Sequence, residues 1–299
     1  EVILDTRLIN EYVIINPTKD ELKWYKKEQN EYVKYKKNLK KLIGKPAMSK
    51  DQERITINVN MGGVIELTNI NNYDPDGIGL VRTEFIYMNS DHFPSEKEQL
   101  AAYKEIVDSI GKDKTVTIRT LDIGGDKKLN YFNLPDEENP FLGLRSIRLS
   151  LRYPDIFRTQ IRAILRASNY GNIQIMYPMI SSLEEVLSAN EILEEEKKKL
   201  RKKNIDFNEN IKVGIMIEVP SAAIISDILA KEVDFFSIGT NDLTQYILAS
   251  DRLSEEVSDI YDNYHPAVIR SISNIADNAI KEGIKVSVCG EMAGDKLAM

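Results

Sequence analysis

The chain has 299 residues, enough for one large domain or two modest ones. Its 40 basic and 47 acidic residues leave a net charge of −7, which argues against nucleic acid or an anionic membrane as the main partner. No apolar run reaches bilayer length, EVILDTRLIN is not a signal peptide, and the single cysteine, Cys289, allows no disulfide within the sequence; a reducing, cytoplasmic location without membrane insertion is expected.

Residues 2–16 alternate apolar and polar about a turn near Asn10 and read as a strand pair, too small to own a core. After Pro17, Thr18 and Glu21 frame a capping box that opens a lysine-rich helix, expected to run to about Ile43, where Gly44, Lys45 and Pro46 stop it. Its apolar residues (Leu22, Trp24, Tyr25, Tyr32, Leu39, Leu42) make only a partial stripe, so it reads as a linker between two bodies or as a helix lying on a barrel surface. From Ile55 the rhythm changes, with candidate strands at 56–60, 77–84, 115–122, 173–180, 212–220, 235–242 and 285–291. Helical spacing fills most of the gaps, with capping boxes at Ser95/Glu98 and Ser182/Glu185 and a helix-opening Pro266 after His265. The run EEEKKKLRKK after Leu193 reads as a solvated helix face, because Glu194/Lys198 and Glu195/Lys199 are spaced for ion pairs.

Seven strands alternating with helices predict a parallel α/β fold. An open doubly wound sheet concentrates its site at one switch point, whereas a closed (β/α)8 TIM-type barrel builds it from many strand ends around one ring. Here polar groups follow the apolar run in strand after strand, which favours the barrel. The count is one short, so an eighth strand and helix are expected beyond Met299.

The stretch 235–246, FFSIGTNDLTQY, carries the pattern most plainly: an apolar run stops at Gly239, and Thr240, Asn241, Asp242, Thr244 and Gln245 crowd in behind it. A carboxylate beside an amide there can hold a cation and orient an anion, or it is simply a strand end with turn-forming Asn and Asp. The other strand ends supply Arg82, Glu84, Arg119, Asp122, Glu218, Cys289 and Glu291. Two arginines aimed at one mouth suit a phosphate or carboxylate, though each is equally placed to pair with Glu84 or Asp122. Glu218 and Asp242 come from successive strands and either share Mg2+ or belong to a structural network. Gly124-Gly125 makes a tight turn presenting Asp126 and Lys127, and NPFLGLRSIR adds Arg145 and Arg148. The only histidines, His92 and His265, assemble no Ser-His-Asp or Cys-His set, and zinc spacing is absent. The inventory points to a phosphate-bearing acid held by arginines and Mg2+, with the Cys289 thiol as a proton donor if its pKa lies near ambient pH.

Taken together, GIGLVRTEF, TIRTLDIGGDK, ENPFLGLRSIR, GIMIEVPSAA, FFSIGTNDLTQY and VCGEMAGD resemble the phosphoenolpyruvate-binding barrel of Enzyme I of the bacterial phosphoenolpyruvate:sugar phosphotransferase system. The likeness runs from about residue 55 to the end and, more loosely, into the N-terminal strands. It implies three parts: trailing strands of an absent phosphohistidine swivelling domain (1–16), a linker helix (17–54), and the phosphoenolpyruvate-binding barrel, truncated at its C-terminus (55–299). It also implies roles. Arg82 and Arg119 would bind the phosphate, joined by Arg252, which the residues alone do not single out. Glu218 and Asp242 would hold Mg2+, Asn241 and Asp242 would contact the substrate, and Lys127 and Arg145 would lie beside it. Cys289 would protonate the departing enolate to give pyruvate. The implied activity is phosphoryl transfer from phosphoenolpyruvate to a histidine of the missing domain, and from there to the small histidine-containing carrier protein, in a homodimer built through the barrel. Neither His92 nor His265 sits in an acceptor motif, so the chain is expected to carry the donor half alone. The rivals are the related barrels of pyruvate,phosphate dikinase and phosphoenolpyruvate synthase, a phosphoenolpyruvate-sensing module without turnover, and a Mg2+-dependent lyase of similar acids.

Overall fold

The alternating N-terminal residues pair as their pattern requires. In the computed structural model, which describes residues 2–5, 12–63, 66–70, 72–125, 127, 129–295 and 297–298, β1 (Val2–Asp5) runs antiparallel to β2 (Tyr12–Ile15) with Val2 opposite Ile15. The turn expected near Asn10 lies outside the described residues. These strands belong to the first of two units, Glu1–Thr56 with Asn72–Asp74. Next comes α1 (Lys19–Leu39), whose N-terminus is closed by Thr18 Oγ1 accepting the Glu21 N–H at 3.3 Å and by the Glu21 carboxylate accepting the Thr18 N–H at 2.7 Å. No residue of this helix is buried, as expected of a lysine-rich segment with a broken apolar stripe. A single 3-10 turn at Lys40–Leu42 ends it, and the short antiparallel pair β3 (Ala47–Met48) and β4 (Arg54–Ile55) completes the unit.

The second unit, Ile57–Asn71 with Pro75–Met299, carries the parallel sheet. In chain order it contains β5 (Asn58–Met61), α2 (Leu67–Ile70), β6 (Gly77–Arg82), α3 (Glu84–Met88), α4 (Glu96–Ile110), β7 (Thr115–Arg119), α5 (Ser146–Arg152), α6 (Pro154–Ala167) and β8 (Ile173–Tyr177). There follow α7 (Leu183–Lys202), β9 (Lys212–Ile217), α8 (Pro220–Ile224), α9 (Ser226–Leu229), β10 (Phe235–Gly239), α10 (Thr240–Leu248), α11 (Pro266–Lys281) and β11 (Lys285–Cys289). The sheet order from β5 to β11 follows the chain order without reversal, and every neighbouring pair is parallel. Because such crossovers are right-handed, an unreversed order sends every helix to one face and curls the sheet around the other. The sheet therefore supplies seven successive strands of a (β/α)8 barrel and has no switch point.

Alternation along the strands separates two apolar layers. Ile118, Ile175, Ile215, Ile217 and Ile238 point outward into one large core with Ile106, Ile161 and Val186 of the helices. Leu80, Met176, Met216, Phe235 and Cys289 form a smaller cluster of the opposite parity, on the inner face. The strand expectations from 77 to 291 overshoot the observed ends by two or three residues. The reason is local: beyond Arg82, Arg119, Ile217, Gly239 and Cys289 the chain leaves the ladder and turns across the rim.

The capping boxes at Ser95/Glu98 and Ser182/Glu185 form, and His265 Nδ1 accepts the Ala267 N–H at 3.2 Å to open α11. In α7 the expected i,i+4 pairs are replaced. Lys197 pairs with Glu194 at 2.8 Å and Lys199 with Glu196 at 2.7 Å, while Arg158 and Arg162 of α6 reach the fully buried Glu196 at 2.9 and 2.8 Å. Among the described residues, no helix is long and apolar enough to cross a membrane.

Candidate functional site

Arg82 and Arg119 close β6 and β7 as register partners, with the parity of the inner cluster. Arg119 is buried, and its Nη2 pairs both with Glu84, the first residue of α3, and with Asp122 Oδ2 at 2.9 Å. Thr83 Oγ1 donates to the Arg119 carbonyl at 2.9 Å, pinning the end of the strand. Lys127 Nζ lies 2.6 Å from Glu84 Oε1 and 3.4 Å from Asp122 Oδ2. Arg145 enters from the residue before α5: its Nη2 is 3.2 Å from Asp122 Oδ1 and 3.5 Å from Asp242 Oδ2. Its Nη1 donates to the Tyr246 hydroxyl at 3.2 Å, which in turn donates to the Phe141 carbonyl at 2.6 Å. Arg252 Nη2 stands 3.9 Å from Asp242 Oδ1. One ion-pair network thus runs from the end of β6 to the loop after α10.

The network is not internally saturated. Glu84 Oε2, Arg119 Nε, Arg145 Nε and Asp242 Oδ1 are buried without a hydrogen-bond partner. An unpaired buried polar atom costs about 1–3 kcal/mol, and two of these four, the Arg119 and Arg145 Nε donors, could be partnered by an anion. Burial opposes charge on Asp122, yet Arg119, Arg145 and Lys127 hold its carboxyl far below the usual carboxylate range. Arg119 is held above its ordinary value by Asp122 and Glu84, which outweigh its burial.

Glu218 follows β9 and is buried, its Oε1 accepting the Met179 N–H at 2.7 Å. Met179 itself adopts a left-handed φ of 55° in the loop after β8. Across β10, a Cβ at Gly239 would stand 2.8 Å from Glu218 Oε2, so the position admits the carboxylate only as glycine. Burial, then the Asp242 and Asp122 carboxylates, push the Glu218 carboxyl up to about 8. Asn241 Oδ1 accepts the Glu291 N–H at 3.0 Å, and its carbonyl accepts from the Tyr261 hydroxyl at 3.2 Å.

Cys289 ends β11 opposite Gly239, its thiol donating to the Ile238 carbonyl at 3.3 Å and accepting from Ser237 Oγ at 3.5 Å. Burial pushes the thiol up to about 11; Glu218 adds to this, while Arg119 and Arg82 pull the other way. At about 11, the Cys289 thiol lies above the ambient range that would suit an acid and is held protonated near neutral pH.

Two rim carboxylates, Glu218 and Asp242, could hold a hard divalent cation. Among the described residues no set of three or more His, Cys, Asp or Glu could hold a metal, so a site here rests on Glu218 and Asp242, and one or two carboxylates is what Mg2+ ordinarily takes from a protein. Asp242 Oδ1 lacks a hydrogen bond, and Glu218, raised first by burial and then by the Asp242 and Asp122 carboxylates, stands beside it.

Direct ion pairs join Arg119, Lys127, Arg145, Asp242 and Arg252, and charge couples Glu218 and Cys289 to them. Arg82 is exposed at the rim and pairs with no described acid, while Arg148 donates to the Leu142 and Gly143 carbonyls instead of joining. His92 bonds Asp91 and Glu98 on a loop, and Asp126 lies outside the described residues. Sequence reasoning passed over Tyr246, Ser146 and the Met179 amide, and found Arg252 only through the family likeness; a tyrosine seven residues past Gly239 on the short α10 was the one available signal.

The fold defines seven strands of a parallel barrel whose strand ends gather one buried network of arginines, a lysine and carboxylates. Residues 36–299 match the family model described as PEP-utilising enzyme, PEP-binding domain, and the chain belongs to that family. It is 48% identical over 287 residues to the phosphoenolpyruvate-protein phosphotransferase of Priestia megaterium, covering 96% of this chain and 50% of that protein. The proteins of the same name from Staphylococcus aureus and Bacillus subtilis (strain 168) are each 48% identical over 291 residues, covering 97% of this chain and 51% of theirs. The chain spans about half the length of the curated relatives it matches.

Proposed function

We propose that this chain is the phosphoenolpyruvate-binding, phosphoryl-donating half of a cytoplasmic, Mg2+-dependent phosphoenolpyruvate-protein phosphotransferase. In this reading residues 1–16 are trailing strands of a phosphohistidine domain, 17–54 a linker helix and 55–299 the barrel through which the protein dimerises. The phosphoryl group goes to a histidine of the phosphohistidine domain and then to the small histidine-containing carrier protein, and pyruvate is released. One observation carries the reading: Arg119, Lys127, Arg145 and Asp242 meet in a single network that leaves buried donors unpaired, at the same strand ends as a protonated thiol.

The unpaired Nε atoms of Arg119 and Arg145 take phosphate oxygens, with Arg82 and Arg252 closing on the anion from the open side. Asn241, its oxygen already engaged, presents its amide N–H to the substrate, and Lys127 adds a point charge at the edge. Glu218 and Asp242 would hold Mg2+, which would supply further neutralisation of the substrate's negative charge. Transfer breaks the bridging P–O bond and leaves its electron pair on the enolate oxygen, so the protein's contribution is positioning and electrostatics. The Cys289 thiol then gives its proton to the methylene carbon, forming the methyl group of pyruvate, and the thiolate recovers a proton from water. Burial keeps that thiol loaded, and Arg119 and Arg82 stabilise the thiolate it becomes. Calorimetric titration with phosphoenolpyruvate in the presence of Mg2+ tests the reading. One molecule should bind per chain, and Arg82→Met, at an exposed unpaired side chain, should weaken it at least about tenfold. No binding at millimolar phosphoenolpyruvate would refute it.

A further inference from the structure

Asp122 touches nothing in the reaction above, yet it is the most heavily shared acceptor at the rim. Its Oδ1 accepts from Ser146 Oγ and, at 3.2 Å, from Arg145 Nη2; its Oδ2 lies 2.9 Å from Arg119 Nη2 and 3.4 Å from Lys127 Nζ. Its backbone carbonyl accepts from Lys127 at 3.3 Å as well. One carboxylate, 3% exposed, therefore holds three cations that arrive from β7, from the Gly124-Gly125 turn and from the start of α5.

The surrounding backbone is shaped to that purpose. Gly124 has φ 110°, and a Cβ there would stand 2.5 Å from Arg145 Cβ and 2.8 Å from its Cα, so the two segments lie in contact only with glycine present. Ser146 takes a left-handed φ of 55° while its amide donates to the Ile123 carbonyl at 2.9 Å and its hydroxyl reaches Asp122. Behind the segment, Gln160 Oε1 accepts the Leu121 N–H at 2.8 Å.

We propose that Asp122 is a positioning residue: it sets the Arg119, Lys127 and Arg145 side chains in one fixed arrangement around the phosphoryl group without touching the substrate. This rests on the reading of the rim as a phosphoenolpyruvate site. Position and charge separate cleanly here. Asp122→Asn removes a negative charge beside the anion, which favours binding, but it frees three cations whose placement in-line transfer requires. A residue that only supports the fold would lower binding and transfer together.

The test compares wild type, Asp122→Asn and Ser146→Ala in two measurements: titration with phosphoenolpyruvate and inorganic phosphate, and transfer of radiolabel at saturating phosphoenolpyruvate to a separately prepared phosphohistidine domain. For Asp122→Asn the affinity for both anions should be unchanged or tighter, while the saturating rate falls about ten- to a hundredfold. Ser146→Ala keeps every charge and loses one bond to Oδ1; its saturating rate should fall severalfold with affinity within about twofold. The proposal is overturned if Asp122→Asn transfers within twofold of wild type, or if it loses affinity and rate in equal proportion. Should Asp122→Asn not fold, a wild-type saturating rate in Ser146→Ala overturns it alone. Failure of the underlying reading appears separately, as a wild-type chain that neither binds phosphoenolpyruvate nor transfers label.

Discussion

Removing and restoring the Glu218 proton gives the sharpest handle on the proposed cation site. Burial and the neighbouring Asp242 and Asp122 carboxylates hold this carboxyl at about 8, whereas a metal ligand must be ionised. At pH 7 roughly 90% of the metal-free chains carry the proton, so Mg2+ binding should expel about 0.9 proton at pH 7, about 0.5 at pH 8 and about 0.1 at pH 9. The same arithmetic makes Mg2+ affinity rise roughly fiftyfold from pH 6 to pH 8 and then level off. The effect on folding has the matching sign. Because the folded-state value lies above the ordinary 4.5, the stability that protonated Glu218 contributes is present below about 4.5 and lost as pH rises through about 8. Mg2+ should therefore stabilise the chain most above pH 8. Isothermal titration at several pH values, in two buffers of different ionisation heat, reads both affinity and proton count. An affinity constant from pH 6 to pH 8, with no proton released, would show that Glu218 is not a ligand.

Cys289→Ala should leave phosphoenolpyruvate affinity within about twofold but slow pyruvate formation in a single turnover by roughly a hundred- to a thousandfold; an unchanged rate would assign the proton to another donor. Gly239→Ala places a methyl group 2.8 Å from Glu218 Oε2 and should weaken Mn2+ binding, followed by its paramagnetic resonance, about ten- to a hundredfold. Mn2+ binding at wild-type strength would mean that the carboxylate has room to spare. Arg119→Met leaves Glu84 and Asp122 short of a shared cation in a buried network and should cost about 3 kcal/mol in urea unfolding. A loss well under 1 kcal/mol would mean that Lys127 and Arg145 suffice to hold both acids.

The fold was largely legible because its signals are local: seven apolar runs and three capping boxes each declare themselves within a few residues. The rim was legible in outline for the same reason, since Arg82, Arg119, Glu218, Asp242 and Cys289 all stand at or just past a strand end. What the residues alone did not reveal depends on distance along the chain. Arg252 sits in the charged run ASDRLSEE, which reads as a solvated loop, and it reaches Asp242 only because α10 turns back at Ala249 with φ 50°. The donor to Glu218 is a backbone amide at Met179, to which no side-chain pattern points. Nor does spacing tell which acid an arginine will choose. Arg119 takes both Glu84 and Asp122, so the ion-pair and ligand readings of the rim describe the same guanidinium. On α7 the helical spacing of Glu194/Lys198 and Glu195/Lys199 lost to the nearby arginines of α6, which the sequence could not place.

Donation of the phosphoryl group is most directly tested by incubating this chain and Mg2+ with radiolabelled phosphoenolpyruvate and a separately prepared phosphohistidine domain. The account predicts label on the histidine, an equal amount of pyruvate, and neither product when Mg2+ is chelated. Phosphoenolpyruvate that binds yet yields no labelled histidine and no pyruvate would contradict it.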